Sequence, residues 1–199
     1  MGYKKSEITN RLNGINNLED LLARMVIEDM PEQWKDARFL QQRMIKIDKR
    51  GSVGERFYLL TLTSLYPRRV EYRDGDQGDW DLKIGRMKFE VKTSSLDKNG
   101  KFQNEGLKKD GDSNGVLFLG IAPNDIYMYC IKIENIDFDN QKIDHNGVHV
   151  NLHNRGRDGL EGRATGAGYK CDLKPEQMRK ISTLSDLQDE FEKEFGDVI

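Results

Sequence analysis

The stretch from Gly78 to Lys92, Gly-Asp-Trp-Asp-Leu-Lys-Ile-Gly-Arg-Met-Lys-Phe-Glu-Val-Lys, constrains the fold of this chain more than any other. It reads as a hairpin. With Gly85-Arg86 as a two-residue turn, glycine first as a type II′ turn prefers, Ile84 faces Met87, Leu82 faces Phe89 and Asp81 faces Glu90. Side chains alternate across a strand, so Trp80, Leu82, Ile84, Met87, Phe89 and Val91 form an apolar face, while Asp79, Asp81, Glu90 and Lys92 share the opposite one. Opposed side chains stand roughly 4.5–5.5 Å apart at Cβ, and like charges so placed repel. Two opposed carboxylates therefore favour a cation between them.

The chain has 199 residues, 33% of them charged, which fits one domain with a substantial core. Its net charge of −2 gives no global basic field, so a nucleic-acid partner would need a local patch. Two cysteines, Cys130 in an apolar run and Cys171, suit reduced buried thiols. No apolar run approaches the ~20 residues that cross a bilayer, and no signal segment is evident, so a cytoplasmic location without membrane contact is expected.

Residues 1–50 read as a helical N-terminal region. Asn16 or Asn17 caps a helix over Leu18–Ile27, and Pro31 opens a second running toward Ile47. Gly51-Ser-Val-Gly54 reads as a break, after which Glu55 stands in the first turn of an apolar helix ending near Leu65, where it could simply complement the helix dipole. Arg68–Tyr72 suits a short strand. Residues 96–114 read as a loop around a short helical piece at Phe102–Leu107, and the runs Gly115–Ala122 and Asp125–Ile133 as central strands buried on both faces. Pro175–Ile181 and Ser185–Phe195, with Ser185 and Gln188 as a capping box, complete a helical tail whose acid-rich last helix suits a solvated face. The expected class is α/β (α+β): a mixed sheet of about five strands flanked by helices. The single domain divides into the N-terminal region, a core over 51–136, a segment over 137–171 and a tail over 172–199.

The segment over 137–171 is rich in Asp, Asn, Gly, His and Arg. Val148–His153 alternates, which predicts a strand with His149, Asn151 and His153 on its polar face. Histidines at 145, 149 and 153 would align for zinc on a helix, but the alternation and Gly147 favour a strand. Asn154, Arg155, Arg157, Arg163 and Lys170 follow, in a run too glycine-rich for a helix and too basic to bury. Arg pairs bidentately with guanine and Asn with adenine, so these residues are candidates for DNA contact; a solvated surface loop is the plainer alternative. Lys108-Lys109 and Lys49-Arg50 are candidate phosphate contacts.

Asp81 and Glu90 supply the hard oxygen ligands Mg²⁺ prefers, and the backbone carbonyl of Val91 could complete the protein's share. Lys92 could orient a water or stabilise a pentavalent phosphate; Glu55 could bind a second metal or hold waters. An ordinary charged ladder, with Asp81–Lys88 and Lys83–Glu90 diagonals, is the competing arrangement.

Glu55, Asp81 and Glu90-Val91-Lys92 resemble the PD-(D/E)xK nuclease superfamily, in which a helix bearing an acid precedes a hairpin with Asp on one strand and Glu-x-Lys on the next. Gly-Glu at a helix start, Trp-Asp-Leu-Lys-Ile and Phe-Glu-Val-Lys-Thr-Ser look like its compact restriction-endonuclease members. The resemblance covers residues 51 to about 133. Trp80 replaces the proline of the motif, which keeps Asp79 as an alternative metal ligand. The resemblance implies a Mg²⁺-dependent type II site-specific deoxyribonuclease, with Mn²⁺ as a substitute, that leaves 5′-phosphate ends on double-stranded DNA. It also implies a companion methyltransferase in the same system. A homodimer follows from the symmetry of such sites, with residues 1–50 as the candidate interface. A structure-selective repair or recombination nuclease and a non-catalytic DNA-binding module are the alternatives.

Overall fold

A computed structural model describes residues 31–45, 47–72, 80–154 and 168–196. Two short helical pieces come first, a 3₁₀ turn at Glu32–Trp34 and α1 (Leu40–Met44), followed by the long helix α2 (Ile47–Leu65). Strands β1 (Val70–Tyr72), β2 (Leu82–Ile84), β3 (Met87–Ser95), β5 (Gly115–Ile121), β6 (Ile126–Lys132) and β11 (Arg179–Ile181) form a six-stranded sheet in the order β1-β2-β3-β5-β6-β11. Only β3 and β5 run parallel within it, so the sheet is mixed, as expected. A second, five-stranded sheet has the order β4-β10-β9-β8-β7, from β4 (Phe102–Leu107), β7 (Ile136–Asp137), β8 (Lys142–His145), β9 (Val148–Asn154) and β10 (Tyr169–Leu173). Helix α3 (Leu184–Phe195) closes the described chain.

The central strands separate two cores. Leu117, Leu119 and Ile121 of β5 pack with Tyr58 and Leu62 of α2 and Leu187, Phe191 and Phe195 of α3. Val116 and Phe118 point the opposite way and pack with Phe102, Leu152 and Cys171 of the second sheet. Strand β5 is buried along its whole length, which explains its unbroken apolar run. The two cysteines are buried and free, one in each core.

The structure corrects several expectations. The helix expected from Pro31 toward Ile47 is interrupted after one 3₁₀ turn, where Asp36 takes a positive φ of 57° that no helix accommodates. Gly51–Gly54 does not break a helix but lies inside α2, so Glu55 is well past the first turn and its dipole role falls away. A Cβ on Gly54 would fall 1.7 Å from Thr93 Oγ1, so this glycine permits close packing of α2 on β3. The helical piece expected at Phe102–Leu107 is β4, with Phe102, Asn104 and Leu107 buried. The single sheet of about five strands is instead two sheets. The tail is only partly helical, because Arg179–Ile181 pairs with β6 as an edge strand. The cap of α3 is Thr183 with Asp186, two residues before the expected box. Its acids are not all solvated, since Glu190 and Glu194 are buried beside Phe191 and Phe195. The helix expected over Leu18–Ile27 lies outside the described residues, as does most of the candidate dimer interface.

Candidate active site

The hairpin forms in the expected register: Leu82 opposes Phe89, Lys83 opposes Lys88 and Ile84 opposes Met87. Gly85 takes a φ of +60° while Arg86 is not among the positive-φ residues, the pattern of a type II′ turn. Just before β2, the Asp81 N–H donates to Phe89 O at 2.8 Å, so Asp81 and Leu82 both face Phe89 and the regular ladder ends at Leu82. The Val91 N–H in turn donates to Asp81 Oδ2 at 2.7 Å, so the aspartate side chain continues the ladder where β2 stops. A strand residue directs its N–H and C=O to the same side, and the Val91 carbonyl therefore points toward the edge occupied by Asp81. Leu82, Ile84 and Phe89 are fully buried on the reverse face, and Val91 nearly so.

Lys92 completes the polar face. Its Nζ lies 2.6 Å from Glu90 Oε1, and the two side chains are only 18% and 15% exposed. Above them passes the backbone of Gly106 on β4, where a Cβ would stand 3.4 Å from Lys92 Nζ. Gly106 has a φ of +78° and itself packs against Gly168, whose Cβ would fall 2.8 Å from Gly106 Cα. Two bare backbones thus roof the ammonium. The competing ladder does not form: Lys83 pairs with Glu71 at 2.8 Å and Lys88 with Asp112, which leaves Lys92 as the ion-pair partner of Glu90.

Burial pushes the Asp81 carboxyl above its usual range, against the opposing pull of the Val91 N–H, Lys92 and Lys108. Burial raises Glu90 as well, and the Asp81 charge adds to that rise while Lys92 and Lys108 oppose it. Two partly desolvated carboxylates that repel each other make a site that gains from a cation. Lys108, expected among the surface phosphate contacts, is thereby a member of this electrostatic cluster.

Glu55 remains apart. Tyr72 of β1 donates to its Oε2 at 3.3 Å, and among the described residues no three acids, histidines or cysteines converge into one cluster. Asp79 lies outside the described residues. Among the described residues, the oxygen donors on this part of the hairpin are the Asp81 and Glu90 carboxylates and the Val91 carbonyl.

The expected polar strand is present as β9, where His149, Asn151 and His153 are exposed between buried Val148 and Leu152. The three histidines do not converge: His145 lies on β8, and His149 Nδ1 sits 2.7 Å from Asp144 Oδ1 across the β8–β9 pair. Lys170 opposes His153 on β10 but is largely buried, donating to Gln103 Oε1 at 3.0 Å and lying 3.2 Å from Asp172. Lys109 pairs with Asp139 at 2.5 Å. Asn154 is described by its backbone alone, and Arg155, Arg157 and Arg163 lie outside the described residues. The two ends of their segment are nonetheless defined: Asn154 opposes Tyr169, Tyr169 opposes Leu107, and Gly168 touches Gly106 above Lys92. Gly168, the first described residue after that segment, therefore lies near the Lys92 ammonium through Gly106.

One polar centre escaped sequence reasoning. Glu194 accepts from Lys132 N at 2.9 Å, Asn135 Nδ2 at 3.0 Å and Asn146 Nδ2 at 2.9 Å, and His145 Nε2 lies 2.7 Å away. This ties α3 to the β8–β9 turn, and its one sequence signal is an acid sharing a helical face with Leu187 and Phe191. Among the described residues, no helix is long and apolar enough to cross a membrane.

No family model and no curated protein matches the chain. Among solved structures, it is similar to a chain titled "Restriction endonuclease in complex with substrate DNA", with a TM-score of 0.40 and 14% identity over 80% of this chain and 81% of that one. Likeness of that degree decides neither fold nor activity.

Proposed function

We propose that the protein is a Mg²⁺-dependent endonuclease acting on double-stranded DNA, of the type II site-specific kind that leaves 5′-phosphate ends. The observation that carries this reading is the pairing of Asp81 with Glu90, close enough for one charge to act on the other, with Lys92 2.6 Å from Glu90 and an apolar reverse face. Two carboxylates and a carbonyl fit the short oxygen-donor set that Mg²⁺ takes from a protein while it keeps waters and phosphate oxygens; Mn²⁺ fits the same set. Asp81, Glu90 and the Val91 carbonyl would hold the ion, which would neutralise charge developing on the phosphate and favour formation of a hydroxide nucleophile.

The remaining work falls to the chain. Val91 N–H fixes the Asp81 carboxylate, and the backbone of Gly106 limits where the Lys92 ammonium can move. Lys92 orients the attacking water and balances charge on the transferred phosphate. Glu55, held by Tyr72, acts from farther out, on water or a second ion. His149, Asn151 and His153, with Asn154, Arg155, Arg157, Arg163, Lys170 and Lys109, are the proposed DNA contacts. The position of Gly168, on Gly106 near Lys92, supports a role for the adjoining segment in seating the substrate. A homodimer would cut both strands of a symmetric site, and a companion methyltransferase would protect host DNA.

Incubation of supercoiled plasmid with the protein and Mg²⁺ tests this. Discrete fragments that DNA ligase rejoins are expected. Cutting confined to junctions or mismatches would instead indicate a repair or recombination nuclease, and DNA binding with no cutting a non-catalytic module.

A further inference from the structure

Beyond Lys92, β3 continues as Thr93-Ser-Ser95 along an edge that β2 is too short to cover. The Leu96 N–H donates to Ile121 O, and Lys88 O accepts from Asn114 N, so even-numbered residues of β3 direct their main-chain groups toward β5. Val91 N–H points the other way, to Asp81. By alternation, the N–H groups of Thr93 and Ser95 face the open edge, in line with the Val91 carbonyl. A cavity of about 530 Å³ follows this edge, with Thr93, Ser94 and Ser95 on one side, Arg43 and Arg50 on another and Asn104 of β4 beyond.

Three features of this cavity select an anion. First, Ser95 Oγ is buried with no hydrogen-bond partner among the described residues, and Ser95 is only 7% exposed; a buried hydroxyl is costly until it is satisfied. Second, Arg43 and Arg50 line the same cavity, and burial together with the Arg43 charge disfavours the Arg50 cation, which an anion beside it would offset. Third, Arg50 is held in place by main-chain carbonyls rather than by a carboxylate, through Nε to Ile45 O at 2.9 Å and Nη2 to Arg43 O at 2.7 Å. Two acids, Asp97 and Glu105, also line the rim. Asp97 is engaged by the N–H groups of Asn99 and Lys101 and by Gln103 Nε2, while Glu105 is exposed on β4.

We propose that this cavity binds a backbone phosphate of the DNA strand being cut, a few nucleotides from the scissile one, with Arg43, Arg50, Ser95 and the Thr93 main-chain N–H as its contacts. Strand residues advance about 3.3 Å each, so Thr93 to Ser95 lie roughly 10–16 Å from Glu90 along one continuous strand. A DNA strand rises 3.4 Å per nucleotide, so that interval falls within a few nucleotides of the cut. The site would hold the strand in register with the carboxylate pair and carry no base preference. The proposal rests on the nuclease function inferred above.

The test measures binding of a fluorescent random-sequence duplex by fluorescence anisotropy, in Ca²⁺ to allow binding without turnover, over a range of salt. Arg43→Gln is the chosen variant because Arg50 also ties down the end of α1. Its slope of log affinity against log salt should be shallower by about 1, with affinity reduced alike for different duplexes. Ser95→Ala, which removes an unpartnered hydroxyl, should keep the wild-type melting temperature and weaken duplex binding severalfold. Wild-type slope and affinity in both variants, with the wild type still binding and cutting DNA, would overturn the phosphate site alone. A wild type that neither binds the duplex nor cuts plasmid would instead overturn the nuclease reading and this site with it.

Discussion

Lys92→Ala is expected to lower the rate of plasmid cleavage by about 10²–10⁴-fold, the usual contribution of a positioned catalytic group, while DNA binding in Ca²⁺ stays near wild type. The ammonium is 2.6 Å from Glu90 and lies on the face shared with Asp81, so it is placed to act on water and phosphate at the carboxylate pair. Binding should survive because the other proposed contacts to the duplex are unchanged. Lys92→Arg should not restore activity. A planar guanidinium is larger than an ammonium, and the Gly106 backbone leaves only enough space for a Cβ 3.4 Å from Nζ. Single-turnover cleavage and anisotropy on the same preparations check both statements, and undiminished cutting by Lys92→Ala would remove Lys92 from the mechanism.

Asp81→Asn is expected to abolish cleavage and yet make the protein more stable. Burial raises the folded-state pKa of both carboxyls, and the Asp81 charge adds to the rise at Glu90, so at neutral pH each ionised group costs stability. For a raised carboxyl, that penalty is relieved as pH falls through its folded pKa. Asparagine removes the charge but keeps an oxygen to accept the Val91 N–H. A gain of roughly 0.5–2 kcal/mol is typical when such a conflict is relieved, and about 2–4 °C per kcal/mol is expected at this size. Mg²⁺ should raise the melting temperature of the wild type and not of Asp81→Asn. The same sign governs activity: both carboxylates must be ionised to hold a cation, so cleavage should fail on the acid side at a higher pH than ordinary carboxylates would dictate.

The site was legible in the sequence because its geometry is local. Gly85-Arg86 sets a two-residue turn, the turn sets the register, and the register brings Asp81 near Glu90 within a few residues of chain. The strand at His149–His153 was equally readable, since alternation between buried and exposed positions is visible in one short window. What depended on distant partners was not. Gly54 reads as a helix breaker until Thr93 is seen packed against it. Phe102–Leu107 carries a glycine and three polar residues that weaken any local strand signal, yet pairing with β10 makes it a strand. Glu194 reads as one more surface acid on a charged helix, and only the folded chain brings Lys132, Asn135, His145 and Asn146 to it. The second sheet was hidden for the same reason, because its strand order joins segments far apart in the chain.

The central claim is that the Asp81–Glu90 pair is a metal site, and anomalous diffraction from crystals soaked in Mn²⁺ tests it most directly. The account predicts a peak bounded by Asp81, Glu90 and the Val91 carbonyl, at distances of about 2.0–2.2 Å from their oxygens, and its loss in Asp81→Asn crystals. No peak at the pair at a Mn²⁺ concentration that supports cleavage, or a peak only at Glu55 and Tyr72, would contradict it.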